Sequence, residues 1–267
     1  MKHSPQSPVI VSIANQKGGV GKTTTAVNLA ASLAVMEIPT LLVDLDPQAN
    51  ASLGLGHDYR TRVSHVYDAL LGKSSLADLM VKTDLEFLHL VPSHPDLVAA
   101  EVELVALDDR VSLLRNAVKS IPPDIRIVLI DCPPALGLLT LNALVTSGWL
   151  LVPIQPEFYA LDGLARLLQT LDRVRQCLNP SLSILGMVLT LYDRRNRLTH
   201  QVVSEVETVF PSHLLDTRIP RNVRLAESPS HGKPAILFDV HSPGAQAHLA
   251  LAQEILERIP GLAEESS

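Results

Sequence analysis

The sequence predicts an α/β fold, a single-domain, doubly wound and mostly parallel sheet with helices on both faces, and three observations carry that reading. Continuous runs of Val, Ile and Leu recur at residues 9–14, 40–43, 87–91, 125–130, 150–154 and 184–191. A strand with no polar alternation is buried on both faces, as strands of a parallel sheet are. Helix-length segments separate most of these runs, and strand-helix alternation winds right-handedly and lays helices on both sides. No internal repeat, low-complexity tract or linker interrupts the pattern, so one domain over residues 9–259 is expected, between flexible tails at 1–8 and 260–267.

Each element has its own signal. The first run, residues 9–14, leads into a glycine-rich turn and then a segment, 23–36, that holds no helix breaker. The run at 40–43 continues into LLVDLDPQ and that at 125–130 into IVLIDCPP, so two strands end in aspartates. Residues 161–178 place Leu164, Leu168, Leu171 and Val174 on one stripe, close to the period of an amphipathic helix. A last helix over 243–259 is stopped by Pro260 and Gly261.

With 267 residues, 46% of them hydrophobic and 19% charged, the chain can bury a large core. Its formal charge of −6 excludes attraction to nucleic acid or anionic lipid by bulk charge, so any such binding must use a local patch. The apolar start is too short for a signal segment, and no stretch approaches the roughly 18 apolar residues of a membrane span, so a cytoplasmic protein is expected. Cys132 and Cys177 stand far apart in apolar surroundings, which suits two buried thiols better than a disulfide or a metal site.

The turn after the first run reads NQKGGVGKTT. Its end fits the phosphate-binding pattern G-x-x-x-x-G-K-[ST], in which backbone N–H groups cradle phosphates, the lysine neutralises them and the hydroxyl holds Mg²⁺. Gly18, Gly19, Val20, Gly21, Lys22, Thr23 and Thr24 are the candidate cradle. Gln16 replaces the first glycine, however, and Lys17 adds a second lysine. The strand before and helix after place a phosphate at a helix N-terminus, where free N–H groups favour negative charge. Asp44 and Asp46, two apart, leave one face near the carboxyl edge of the sheet, and Asp131 ends another strand, so three carboxylates beside a phosphate loop point to a metal and water site.

QKGGVGKTT, VDLDPQ, IDCPP and the later IPRNVRLAESPSHGKP together resemble the ParA/Soj family of DNA-partitioning ATPases, in the deviant Walker A (MinD/ParA) group of P-loop NTPases, from about residue 9 to 259. The resemblance implies ATP and Mg²⁺ as cofactors and an ATP-bound sandwich homodimer in which Lys17 reaches the phosphates of the partner's site. It implies Lys22 on the β- and γ-phosphates, Thr23 on Mg²⁺ with Asp44 and Asp131 around it, and Asp46 on the attacking water. Pro220 and Asn222, in IPRN, would pack against and pair with the adenine base; taken alone, the same residues also read as a turn at a strand end. Hydrolysis is expected to be slow and to be stimulated by a ParB/Spo0J-type centromere-binding protein.

Residues 193–224 hold Arg194, Arg195, Arg197, Arg218, Arg221 and Arg224 against four carboxylates, a net +2 in an acidic chain. Guanidinium groups suit phosphate oxygens, although surface arginines are often only solvated or paired. In the family that this chain resembles, non-specific double-stranded DNA binding uses the positions matching Arg195 and Arg224, which makes Arg194, Arg195, Arg197, Arg221 and Arg224 the candidate DNA contacts and implies nucleoid association. Two other readings share the nucleotide chemistry: a scaffold positioning a protein cargo, and a MinD-like membrane switch. The second needs a basic amphipathic C-terminal helix, whereas this chain ends ERIPGLAEESS, so no membrane partner is expected.

Overall fold

The computed structural model describes residues 7–61, 64–157 and 160–262, with the side chains of residues 101, 160–162, 197 and 198 outside that description. Eight strands form one sheet: β1 (Val9–Ile13), β2 (Thr40–Asp44), β3 (Val81–Lys82), β4 (Leu88–Val91), β5 (Ile127–Asp131), β6 (Trp149–Ile154), β7 (Ser183–Tyr192) and β8 (Leu214–Pro220). Their order is β3-β4-β2-β5-β1-β6-β7-β8, and every pairing is parallel except the short β3 against β4. The doubly wound, mostly parallel sheet is therefore as the sequence predicts.

The apolar runs split between two cores by strand period. On β2, Leu41 and Val43 face one core and Leu42 the other; on β5, Val128 and Ile130 oppose Ile127 and Leu129. One face is covered by the helices Lys22–Val35 and Pro243–Arg258, through Leu29, Leu33, Leu251 and Ile255. The other carries the helices Leu138–Thr146, Ala160–Cys177 and Arg197–Val209, through Leu144, Leu171 and Val203. On the Ala160–Cys177 helix the buried stripe is Leu164, Leu167, Leu171 and Val174, with Leu168 at its margin rather than within it.

Two strands escape the sequence pattern. β8 lies at the edge, so Leu215 and Ile219 are buried while Asp216 and Arg218 face outward, and no continuous apolar run results. Its outer backbone is covered by Glu254, whose carboxylate accepts the N–H groups of Asp216 at 2.9 Å and Thr217 at 3.0 Å; such capping blunts an open edge. β3 has only two residues. The expectation of two buried thiols is half right: Cys132 is buried directly after β5, but Cys177 ends its helix exposed to solvent.

His248 sits on the Pro243–Arg258 helix, 1% exposed. Its Nδ1 lies 2.8 Å from the Gly244 carbonyl, so Nδ1–H donates, and Nε2 is buried with no hydrogen-bond partner. Burial holds its pKa down to about 4, against 6.5 when exposed. The unfolded chain therefore binds a proton between these values that the folded chain refuses, and stability falls as pH drops through that window. Relative to His248→Leu, the parent should lose about 2–3 kcal/mol between pH 7 and pH 4.5 in urea unfolding. A pH-independent difference between the two would mean that His248 is not held neutral.

Candidate nucleotide and metal site

The loop between β1 and the Lys22–Val35 helix is pinned to two neighbouring strands and braced by a bond of its own. Asn15 Nδ2 donates to the Pro153 carbonyl at the end of β6 at 2.7 Å, while its Oδ1 accepts the Lys17 N–H at 3.0 Å. From β7, the Thr190 hydroxyl donates to the Val20 carbonyl at 2.7 Å. Gly19 and Gly21 take φ values of 75° and 82°, left-handed backbone that a side chain would strain. Gly21 caps the helix with no side-chain hydrogen bond, which leaves first-turn N–H groups for an anion. Gly18 and Gly19 are exposed at the mouth, Val20 is buried, and Thr23 and Thr24 are half-buried on the first turn.

Below the loop lies a group of buried charges. Asp44 and Asp131 are register partners at the carboxyl ends of β2 and β5, and both are fully buried. Asp44 is already engaged: its Oδ2 accepts the Ser52 hydroxyl at 2.6 Å and the Ser52 N–H at 2.8 Å, and its Oδ1 accepts the Asp46 N–H at 3.2 Å. Burial nevertheless pushes its pKa up to about 6. Asp131 is pushed well above the carboxylate range by burial and then by the charge of Asp44. The Thr23 hydroxyl and the Lys22 ammonium pull the other way, yet neither Asp131 oxygen accepts a well-formed hydrogen bond. Asp46 lies just past β2, its Oδ1 accepting the Gln48 N–H at 2.9 Å and its carbonyl accepting the Ser93 hydroxyl at 2.7 Å.

Lys22 is 6% exposed, and its ammonium donates to the Lys17 carbonyl at 3.1 Å. Burial lowers its pKa, and Asp131 offsets part of that shift. Unpartnered oxygens on Asp131, a hydroxyl on Thr23 and nearby Asp46 form a hard-oxygen set that suits Mg²⁺, so these residues fit the cation the motif implies. Lys17 is drawn away from this centre: its ammonium is ion-paired with Glu157, past the end of β6.

A cleft lined by Thr24, Leu191, Pro220, Asn222 and Leu225 opens beside Gly21. Its floor is the end of β7 and β8, where Tyr192 and Pro220 are register partners. Asn222 Oδ1 is buried with no partner, an acceptor fitted to an exocyclic amine. Leu191 takes φ 49°, local strain of the kind that gathers at binding clefts. The structure thus gathers the predicted loop, carboxylates and base residues around one edge of the sheet.

The predicted arginines root on the same two strand ends. Arg195 forks onto Asp193 through Nε at 3.1 Å and a terminal nitrogen at 3.0 Å, which holds that carboxyl down to about 2. Arg224 pairs with Glu227 at 2.9 Å and with Asp239 at 3.3 Å. Arg194 and Arg221 are exposed and form no ion pair among the described residues. The Arg197 side chain lies outside the described residues.

Sequence reasoning missed Ser52, Ser93 and Glu157. Each is an ordinary surface residue type whose role exists only through a partner 8, 47 or 140 positions away. Elsewhere, His65, His94 and Asp96 have ligand-type atoms close together, but the two rings stack at 4.6 Å and only 9° from parallel. Metal ligation in the plane of both rings would need them to turn, so this cluster is not read as a cation site.

Residues 9–184 match the family described as AAA domain. The chromosome partitioning protein ParA of Myxococcus xanthus is 50% identical over 249 residues, 93% of this chain and 88% of the relative. The chain belongs to the ParA/Soj family of chromosome-partitioning ATPases. A second ParA/Soj relative, the sporulation initiation inhibitor protein Soj of Bacillus subtilis, is 47% identical and covers 92% of this chain and 97% of its own length. Among solved structures, one described as cobyrinic acid a,c-diamide synthase from Mycobacterium smegmatis, with bound ATP analogue and magnesium, superposes with a TM-score of 0.82 at 36% identity, over 94% of this chain and 95% of that one.

Removing one of the paired carboxylates separates stability from binding in this ParA/Soj chain. Asp131→Asn should stabilise the protein without nucleotide by on the order of 1–3 kcal/mol, because a poorly compensated buried charge is lost. The rise in melting temperature that Mg²⁺ and ATP give the parent should shrink in the same variant. An unchanged melting temperature without ligand would show that Asp131 is not a desolvated charge.

Proposed function

We propose that this partitioning ATPase works as an ATP-gated DNA clamp with Mg²⁺ and ATP as its cofactors. The observation that carries the reading is the shared edge: the carboxyl ends of β7 and β8 form the wall of the base cleft and the root of the arginine patch. A nucleotide that orders one orders the other.

In this reading Pro220 and Asn222 receive the adenine, Gly18 to Thr24 cradle the phosphates, and Lys22 leaves the Lys17 carbonyl to neutralise the β- and γ-phosphates. Thr23 and Asp131 hold Mg²⁺, and Asp44, tied up by Ser52, fixes the position of Asp46. Mg²⁺ held there would supply neutralisation of phosphate charge. Asp46 orients the attacking water, its backbone held by Ser93 and the Asp44 carboxylate. Lys17 completes the partner's site as a cation delivered across a homodimer, as an arginine finger does. The dimer places two arginine patches side by side, and paired patches bind a duplex far better than one.

Partners in this reading are a second copy of the chain, non-specific double-stranded DNA of the nucleoid, and a ParB/Spo0J-type protein that triggers hydrolysis. No described helix is long and apolar enough to cross a membrane. The synthase name of the similar M. smegmatis structure gives a second reading. Amide transfer from glutamine runs through a thiolate nucleophile, and burial pushes the thiol of Cys132, beside the site, well above the usual range. The partitioning reading therefore stands.

Asp46→Ala should bind a non-specific duplex tightly with ATP and Mg²⁺ but weakly with ADP, with log K falling by roughly 0.9 per phosphate contacted for each unit of log[salt]. Combining Arg195→Glu and Arg224→Glu should abolish that binding while ATP still dimerises the protein. Equal binding in all nucleotide states would break the link between ATP and DNA. In a separate measurement, Lys17→Ala should keep ATP binding and lose dimerisation by sedimentation; a normal dimer would remove the cross-subunit role of Lys17.

A further inference from the structure

Glu157 lies outside every motif that the sequence singles out, yet it holds the lysine of the phosphate loop that has no task on its own protomer. The Lys17 ammonium pairs with the Glu157 carboxylate. Both ends of the pair hang from one junction, because Asn15 fastens the loop to the Pro153 carbonyl while Glu157 follows β6 by three residues and is turned by a backbone bond to Gln155 at 2.9 Å. The side chains remain 32% and 44% exposed, so water can replace the contact and the pair can open. A second tie acts on the same residue: Lys22, the phosphate lysine, donates to the Lys17 carbonyl at 3.1 Å.

We propose that Glu157 is a positioning residue that keeps Lys17 on its own protomer and so sets the ATP concentration at which the protein dimerises. The inference rests on the reading of Lys17 as the lysine that crosses to the partner. Without phosphates, Lys22 closes onto the Lys17 carbonyl, and Glu157 collects the Lys17 side chain. Phosphates compete for the Lys22 ammonium, its bond to the carbonyl is given up, and only the exposed pair with Glu157 still restrains Lys17. The phosphates of a partner then offer a stronger anion than one carboxylate, and the lysine transfers. The pair thus acts against dimers built on a single occupied site and gives way when both sites are filled.

The expected size follows from the number of pairs broken. Each dimer opens two of them, and an exposed ion pair contributes modestly, so removing the carboxylate should tighten dimerisation roughly three- to thirtyfold. The test uses the full chain in an Asp46→Ala background, with dimer fraction measured by sedimentation across an ATP series in Mg²⁺. Glu157→Gln should shift the midpoint to lower ATP, and Glu157→Asp, which keeps the charge, should fall between Gln and the parent.

If the Asp46→Ala parent does not dimerise with ATP, the clamp reading fails and this inference falls with it. If the parent dimerises but Glu157→Gln has the same midpoint, the clamp survives and the restraint does not. A Glu157→Gln that dimerises less well than the parent would place Glu157 in the dimer interface instead, and would equally overturn the proposal.

Discussion

Two buried carboxylates side by side set the terms for the rest of the molecule. Parallel register brings Asp44 and Asp131 together at the ends of β2 and β5, out of reach of water. Such a pair resists double ionisation unless cations or donors compensate it. The fold answers one carboxylate with Ser52, which gives it a hydroxyl and an N–H, and the other with the Lys22 ammonium and the Thr23 hydroxyl. Those last two come from the loop after β1, which can reach Asp131 only because β1 lies directly beside β5 in the sheet. The compensation of Asp131 is incomplete, and its unpartnered oxygens are what make the site ready for a divalent cation.

Much of this was legible in the chain, because what a buried parallel sheet needs and what a phosphate loop needs are both local. Six strands announced themselves through apolar runs that serve two cores at once, and the loop through the spacing of Gly21, Lys22 and Thr23. What stayed hidden depends on a partner far away in sequence. β8 reads as irregular because only alternate residues are buried, and nothing in the string TRIP shows that it pairs with β7. Cys177 is expected to be buried as a lone thiol beside Leu178, whereas the helix turns it outward. The aspartates declared a metal site, but which one is free to serve it depends on Ser52, whose claim on Asp44 no spacing rule contains.

A pattern runs through three of the cations expected to act on something outside the protomer. Lys17 is paired with Glu157, Arg195 with Asp193, and Arg224 with both Glu227 and Asp239. Lys22, expected to act on the protomer's own nucleotide, forms no ion pair among the described residues and rests on a carbonyl. The difference has a physical sense. A cation that must meet a partner's phosphate or a DNA phosphate would, if left bare, attract any polyanion whatever the nucleotide state, because long-range attraction does not consult the switch.

Pairing Lys17, Arg195 and Arg224 with exposed carboxylates lowers that background attraction without burying charge. Exposed pairs are weak and screened by salt, so a phosphate held in good geometry can displace the carboxylate. The acidic balance of the chain, −6 overall, then has a role of its own. In the proposed clamp, a single protomer would offer DNA a patch in which Arg195 and Arg224 are neutralised by their own neighbours, while two protomers would offer twice as many exchangeable pairs over one stretch of duplex. Multivalent contact multiplies, whereas the neutralising pairs are given up only one by one. Under that proposal, the step from monomer to dimer would separate weak from strong DNA binding with no large change in the shape of the protomer.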